Sequence, residues 1–111
     1  MSSSDSLLVN EIVDIAPDIE AVRKVTKCIK AFSNLCRLKL FKYCFIKRSH
    51  SDIVFSLKIN PASLRFHMKI LIDSGLIKKV DRGEYEVTDF GRMFDKILNQ
   101  AKVIVLNEKN D

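Results

Sequence analysis

The side chains with the plainest chemical use lie close together in NPASLRFHMKILIDSGLIKK, residues 60–79, where Arg65, His67, Lys69, Lys78 and Lys79 accompany the hydroxyl of Ser63. Cations and a short donor in one stretch suit a polyanion. Lysine and arginine neutralise phosphates, and donors near a helix N-terminus reach base edges in a major groove. The same residues do not suit catalysis: neither His50 nor His67 has a nucleophile or carboxylate partner at motif spacing, and with only three glycines the chain holds no Gly-rich phosphate loop. No enzyme activity and no cofactor are expected. Cys28, Cys36 and Cys44 recur every eight residues without a CxxC pair or a nearby histidine, so buried thiols are expected rather than a disulfide framework or a metal site.

Charge placement points the same way. The 111 residues sum to only +5, but residues 1–20 carry five acids and no base, while residues 21–70 carry twelve Lys or Arg against the single acid Asp52. Concentrated positive charge favours a polyanionic partner, although a solvated lysine-rich surface would give the same totals. The length and the 47% apolar, 30% charged balance fit one globular domain with one small core. No run of eighteen apolar residues occurs, and MSSSDSLLVNEIVDI lacks the basic start and small-residue cleavage site of a secretory signal, so a cytoplasmic location is expected.

The elements that must position these groups follow from periodicity and caps. After Pro17, Asp18 can cap a helix with Val22, Val25, Ile29 and Phe32 on one face, and Ser33 or Asn34 offers a break and a new cap. A second helix then runs through LCRLKLFKYCFIK, apolar around most of its circumference, and KRSHS follows as a polar turn. Ser51 caps a short third helix whose Ile53, Val54 and Leu57 can face inward. Asn60 and Pro61 start a fourth, since Asn accepts from first-turn amides and proline has none to lose; it runs to Ser74, with Gly75 left-handed after it. LIKKV and EYEVT suit strands joined by Asp81, Arg82 and Gly83, and Thr88 caps a last helix striped by Phe90, Phe94, Ile97, Ala101 and Ile104. The fold class expected is mainly α with a small β-hairpin, in the order ααααββα.

A short helix, a tight turn, a second helix and a hairpin are the order of a winged helix-turn-helix. The chain resembles the ArsR-type winged-helix transcriptional regulators in KAFSNLCRLKLF at 30–41, DIVFSLKINPASLRFHMKILIDSGLIKK at 52–79 and YEVTDFGRMF at 85–94. The resemblance implies that residues 60–74 form a DNA recognition helix. On this reading residues 1–16 are a partly disordered N-terminal segment, and residues 17–111 are a winged-helix DNA-binding domain with a C-terminal dimerisation helix. Two departures matter. Metal-sensing members place a cysteine pair where this chain has Ser49, His50, Ser51 and Asp52, so metal sensing is not implied. At the turn, where the family commonly has Gly, stands Lys58, whose left-handed conformation costs about 1 kcal/mol and would reshape the turn.

Helical spacing puts Leu64, Met68 and Leu71 on the core face of the fourth helix, and Ala62, Ser63, Phe66, Lys69 and Asp73 outward. Base reading is assigned to Ala62, Ser63, Arg65 and Phe66, and phosphate contact to Arg37, Lys39, Lys58, Lys69, Lys79 and Arg82. Phe66 with Ile70 makes an apolar strip open to three readings: contact with thymine methyls, packing within this protein, or a protein partner. His67, at the border of the core face, is expected to be half-buried and bonded to backbone or phosphate rather than to act as a metal ligand or a pH switch.

The last helix, from about Asp89 to Asn107, would span nearly 30 Å, longer than a compact winged domain needs. Its overhanging end carries Val103, Ile104, Val105 and Leu106, and Leu8, Ile12 and Ile15 pose the same problem near the N-terminus. A homodimer is expected, with Phe94, Ile97, Ala101, Ile104 and Val105 at its interface. The function expected is a sequence-specific, double-stranded DNA-binding transcriptional regulator; the alternative is a winged-helix protein interaction module of a larger assembly.

Overall fold

A computed structural model describes residues 16–110. The expectations for the N-terminal segment, including Leu8, Ile12 and Ile15, lie outside the described residues. Helices α1 (Ala16–Ala31) and α2 (Leu35–Tyr43) lead into a two-residue strand β1 (Arg48–Ser49), followed by α3 (His50–Leu57) and α4 (Pro61–Asp73). Strands β2 (Ile77–Val80) and β3 (Glu84–Val87) flank a single 3-10 turn, and α5 (Asp89–Asn110) closes the chain. The order is therefore ααβααββα.

The strand β1 corrects the polar turn expected at KRSHS. Arg48 pairs with Tyr85 and Ser49 with Glu84, so the hairpin becomes a three-stranded antiparallel sheet in the order β1-β3-β2. Two residues carry no legible alternation, and the edge of β3 supplies the missing hydrogen bonds. The same shift moves the cap of α3. Ser49, not Ser51, accepts from the Asp52 N–H at 3.0 Å. Asp18 likewise lies in the first turn of α1 rather than at its cap, where its carboxylate still complements the helix dipole.

The core draws one to three side chains from every helix: Cys28 and Ala31 from α1, Leu40 and Phe41 from α2, Ile53 from α3, Leu64, Met68 and Leu71 from α4, and Phe94 from α5. Leu76, Ile77, Tyr85 and Val87 close it from the hairpin. The expected core face of α4 is thus the observed one. That of α1 is not: Val22, Val25 and Ile29 are exposed, because α1 seats on the body through Cys28, Ala31 and the partly buried Phe32, whose ring lies 4.8 Å from that of Phe41. Cys28 and Cys44 are buried and Cys36 half-buried, all as free thiols. Burial pushes the Cys44 thiol up to about 12, against the opposing pull of Arg48.

The last helix divides its apolar residues between two faces. Phe90, Phe94 and Leu98 pack on the core, whereas Met93, Ile97, Ile104 and Val105 are exposed. Phe94, expected at the dimer interface, is 5% exposed and belongs to the core, which removes it from any outward face. Residues 101–108 are all exposed, so the end of α5 overhangs as its length implied. Close approach at its start is possible because residue 91 is glycine: a Cβ there would lie 2.5 Å from the Leu76 carbonyl oxygen.

Candidate nucleic-acid interface

The α3–α4 turn and the two flanks of α4 define the candidate surface. Lys58 ends α3 with φ 53° and ψ 46°, so the turn keeps a left-handed residue although it is not glycine. Asn60 Oδ1 then accepts from the Ala62 N–H at 2.8 Å. Pro61 has no amide hydrogen, which leaves the Ser63 N–H, of the first three, directed out of the helix tip. Ser74 and Gly75 (φ +82°) close the other end.

Between these ends the helix presents three strips. Ala62, Ser63, Phe66, Lys69 and Asp73 are exposed on the outer side, as helical spacing requires. Arg65, also exposed, lies on the hairpin flank, near enough for its charge to act on Tyr85. The Tyr85 phenol is nevertheless pushed up, because burial and then Cys44 outweigh the guanidinium. Phe66 is 61% exposed and its ring meets that of His67 edge-on at 5.4 Å, while Ile70 is partly buried against the core, which separates the two residues expected to form one strip.

On the opposite flank His67 is half-buried, and the partner of its Nδ1 is a side chain of α2. Arg37 Nη1 lies 3.3 Å from His67 Nδ1, while Arg37 Nε donates at 2.7 Å to the carbonyl of Ala31, the last residue of α1. Burial, with the Arg37 charge second, holds the imidazole below its usual value. Arg37, expected at phosphate, is therefore engaged within the protein.

The remaining cations assigned to phosphate are exposed. Lys39 lies on α2 beside Leu35, Ser56 and Leu57, next to the α3–α4 turn. Lys79 stands on β2 opposite Tyr85, while its neighbour Lys78 is drawn to Glu86 at 3.7 Å. Arg82 occupies the tip of the hairpin with φ 65°, followed by Gly83 at φ 71°, so two left-handed residues make the turn. Among the described residues no group of three or more His, Cys, Asp or Glu side chains is gathered as for a metal ion.

No protein-family model matches the chain, and comparison with curated proteins gives no match. Solved structures do match. A transcriptional regulator homologue from Pyrococcus horikoshii OT3 is 26% identical, with a TM-score of 0.60 over 79% of this chain and 96% of that one. An ArsR-like transcriptional regulator from Rhodococcus sp. RHA1 is 17% identical, with a TM-score of 0.59 over 82% of this chain and 94% of that one. The chain has the ArsR-type regulator fold. In this ArsR-type fold α3, the Lys58 turn and α4 are the helix-turn-helix, and β2 with β3 is the wing.

Two surface residues of this chain were not singled out from the sequence. Phe55 on α3 is 86% exposed, on the side away from the inward Ile53, Val54 and Leu57, as helical spacing implies. Met93 is exposed on α5 one turn before Ile97, a relation that helical spacing alone would have revealed.

Proposed function

We propose that the chain is a double-stranded DNA-binding transcriptional regulator that acts as a homodimer in the cytoplasm, with α4 in the major groove. The observation that carries this reading is the outer side of α4: exposed small, polar and cationic side chains beyond a capped helix start, backed by a buried face of Leu64, Met68 and Leu71. Ala62 permits close approach, Ser63 and Arg65 read base edges, and Phe66 contacts thymine methyls. Lys39, Lys58, Lys69, Lys79 and Arg82 meet phosphates around this centre. The likeness to solved regulators supports the reading at the level of fold.

Homodimerisation is supported by apolar surface that the single chain leaves in water. Ile97, Ala101, Ile104 and Val105 on α5 are exposed, and so are Ile19, Val22 and Ile29 on α1. Burying such side chains contributes roughly 25 cal/mol per Å². A two-fold pairing would also space the two recognition helices by about 34 Å, one turn of DNA.

The test is binding to random and palindromic duplexes across a salt series. With several phosphate contacts per subunit, log K should fall against log salt with a slope of roughly −6 or steeper. Arg65→Ala should cost about 1–3 kcal/mol at the specific site and little on random DNA, whereas Lys79→Ala should weaken both alike. The exposed Phe55 and Phe66 favour a second reading, docking on a protein of a larger assembly, and a flat salt response would select it.

A further inference from the structure

Arg37 and His67 meet where α2 crosses the flank of α4, and their contact sets the protonation state of the ring. A guanidinium has donors only, so at 3.3 Å His67 Nδ1 must accept and carry no proton. The ring is thereby neutral, with its proton on Nε2. Arg37 cannot swing away freely, because Nε is held on the Ala31 carbonyl and its own N–H is capped by Asn34 Oδ1 at 3.1 Å.

The charged groups around His67 leave the ring without an acidic partner. From α2 it faces Arg37; from the end of α1 it faces the Ala31 carbonyl through Arg37; on α4 the neighbouring cations Arg65 and Lys69 stand exposed on the other flank and the outer side. Among the described residues no carboxylate forms a hydrogen bond or ion pair with it. A proton added at Nδ1 therefore meets a cation and has no internal anion to compensate it.

Resting on the DNA-binding reading, we propose that Arg37 and His67 form a latent phosphodiester site that one proton opens. Uptake of a solvent proton at His67 Nδ1 removes the acceptor, breaks the contact with Arg37 Nη1 and leaves a tethered guanidinium beside an imidazolium on the flank of the recognition helix. Alone, these two cations repel. A DNA phosphate placed between them reverses the sign of the interaction, so phosphate binding and proton uptake favour each other. Duplex binding then takes up a proton and tightens as pH falls.

The experiment measures affinity for a random-sequence duplex at fixed salt from about pH 8 to 5.5 for the full chain and the variants His67→Gln and His50→Gln. Wild-type affinity should rise by up to about tenfold per pH unit for each subunit engaged, the limit for one proton per subunit. The salt slope at pH 5.5 should be steeper than at pH 8 by about 0.9 per subunit, one further phosphate contact each. His67→Gln can still accept from Arg37 but cannot take a proton, so it should match wild type at pH 8 and lose the rise, while His50→Gln should keep it. A flat wild-type profile, or a rise that persists in His67→Gln, overturns the site. If His67→Gln does not fold, nuclear magnetic resonance of the wild-type histidines decides: the duplex should raise the His67 titration midpoint, and an unmoved midpoint overturns the proposal. Absence of duplex binding at every pH would overturn the regulator reading instead.

Discussion

The Thr88 hydroxyl donates to the Gly75 carbonyl at 2.6 Å, and so ties the start of α5 to the residue that ends α4. The same oxygen accepts from the Gly91 N–H at 2.9 Å, capping α5, and the Thr88 N–H donates to the Leu76 carbonyl at 3.0 Å. One side chain thus sets the exit from the recognition helix and the entry to the final helix. Thr88→Ala should lower stability by about 1–2 kcal/mol, and Thr88→Ser by less. Urea denaturation of the three proteins measures both differences.

Lys58 holds a conformation that favours glycine. Lys58→Gly should relieve about 1–2 kcal/mol of left-handed strain, against about 0.5–1 kcal/mol of added freedom in the unfolded chain, and so be neutral to mildly stabilising. In the DNA-binding reading it also removes a phosphate contact, which should flatten the salt slope by about 0.9 per subunit. A variant that is clearly destabilised would show that the lysine side chain contributes more than its backbone costs.

His67 should make the free protein less stable in acid. Its folded value is held below the ordinary value by burial and then by Arg37, so the unfolded chain binds the proton more readily. The contribution to stability is present above the unfolded value and is lost as pH falls through the folded one. Denaturation midpoints measured at about pH 8 and 5.5 should therefore fall more in wild type than in His67→Gln. This sign is opposite to that proposed for DNA affinity, which separates the two measurements.

Ile97 and Ile104 are each 60% exposed on α5, outside the core that Phe94 and Leu98 join. In the homodimer reading, replacing both with glutamate should give a folded monomer with weaker operator binding, seen by sedimentation at tens of micromolar. The far-ultraviolet spectrum should hardly change, since neither side chain supports the core. A wild-type chain that sediments as a monomer at the same concentration would contradict the reading.

The features legible in the sequence are those decided by neighbours along the chain. Asn60 before Pro61 starts α4 because a side-chain acceptor and a missing amide act within one turn; Gly75 ends it because the left-handed conformation belongs to that residue itself. Asp81, Arg82 and Gly83 turn the hairpin for the same local reason, and the spacing of Leu64, Met68 and Leu71 marks the buried side of one helix. What only the tertiary structure decided depends on partners far away in sequence. Strand β1 exists because β3 offers it an edge. Helix α1 buries Cys28 and Ala31 in place of its more apolar stripe because of where it meets the body, and Phe94 turns inward while Ile97 does not because only one side of α5 faces Phe32 of the chain's earlier helices. Arg37 leaves the set of free cations because the Ala31 carbonyl and His67 converge on it from two other helices, a satisfaction of hydrogen bonds that no spacing within α2 encodes.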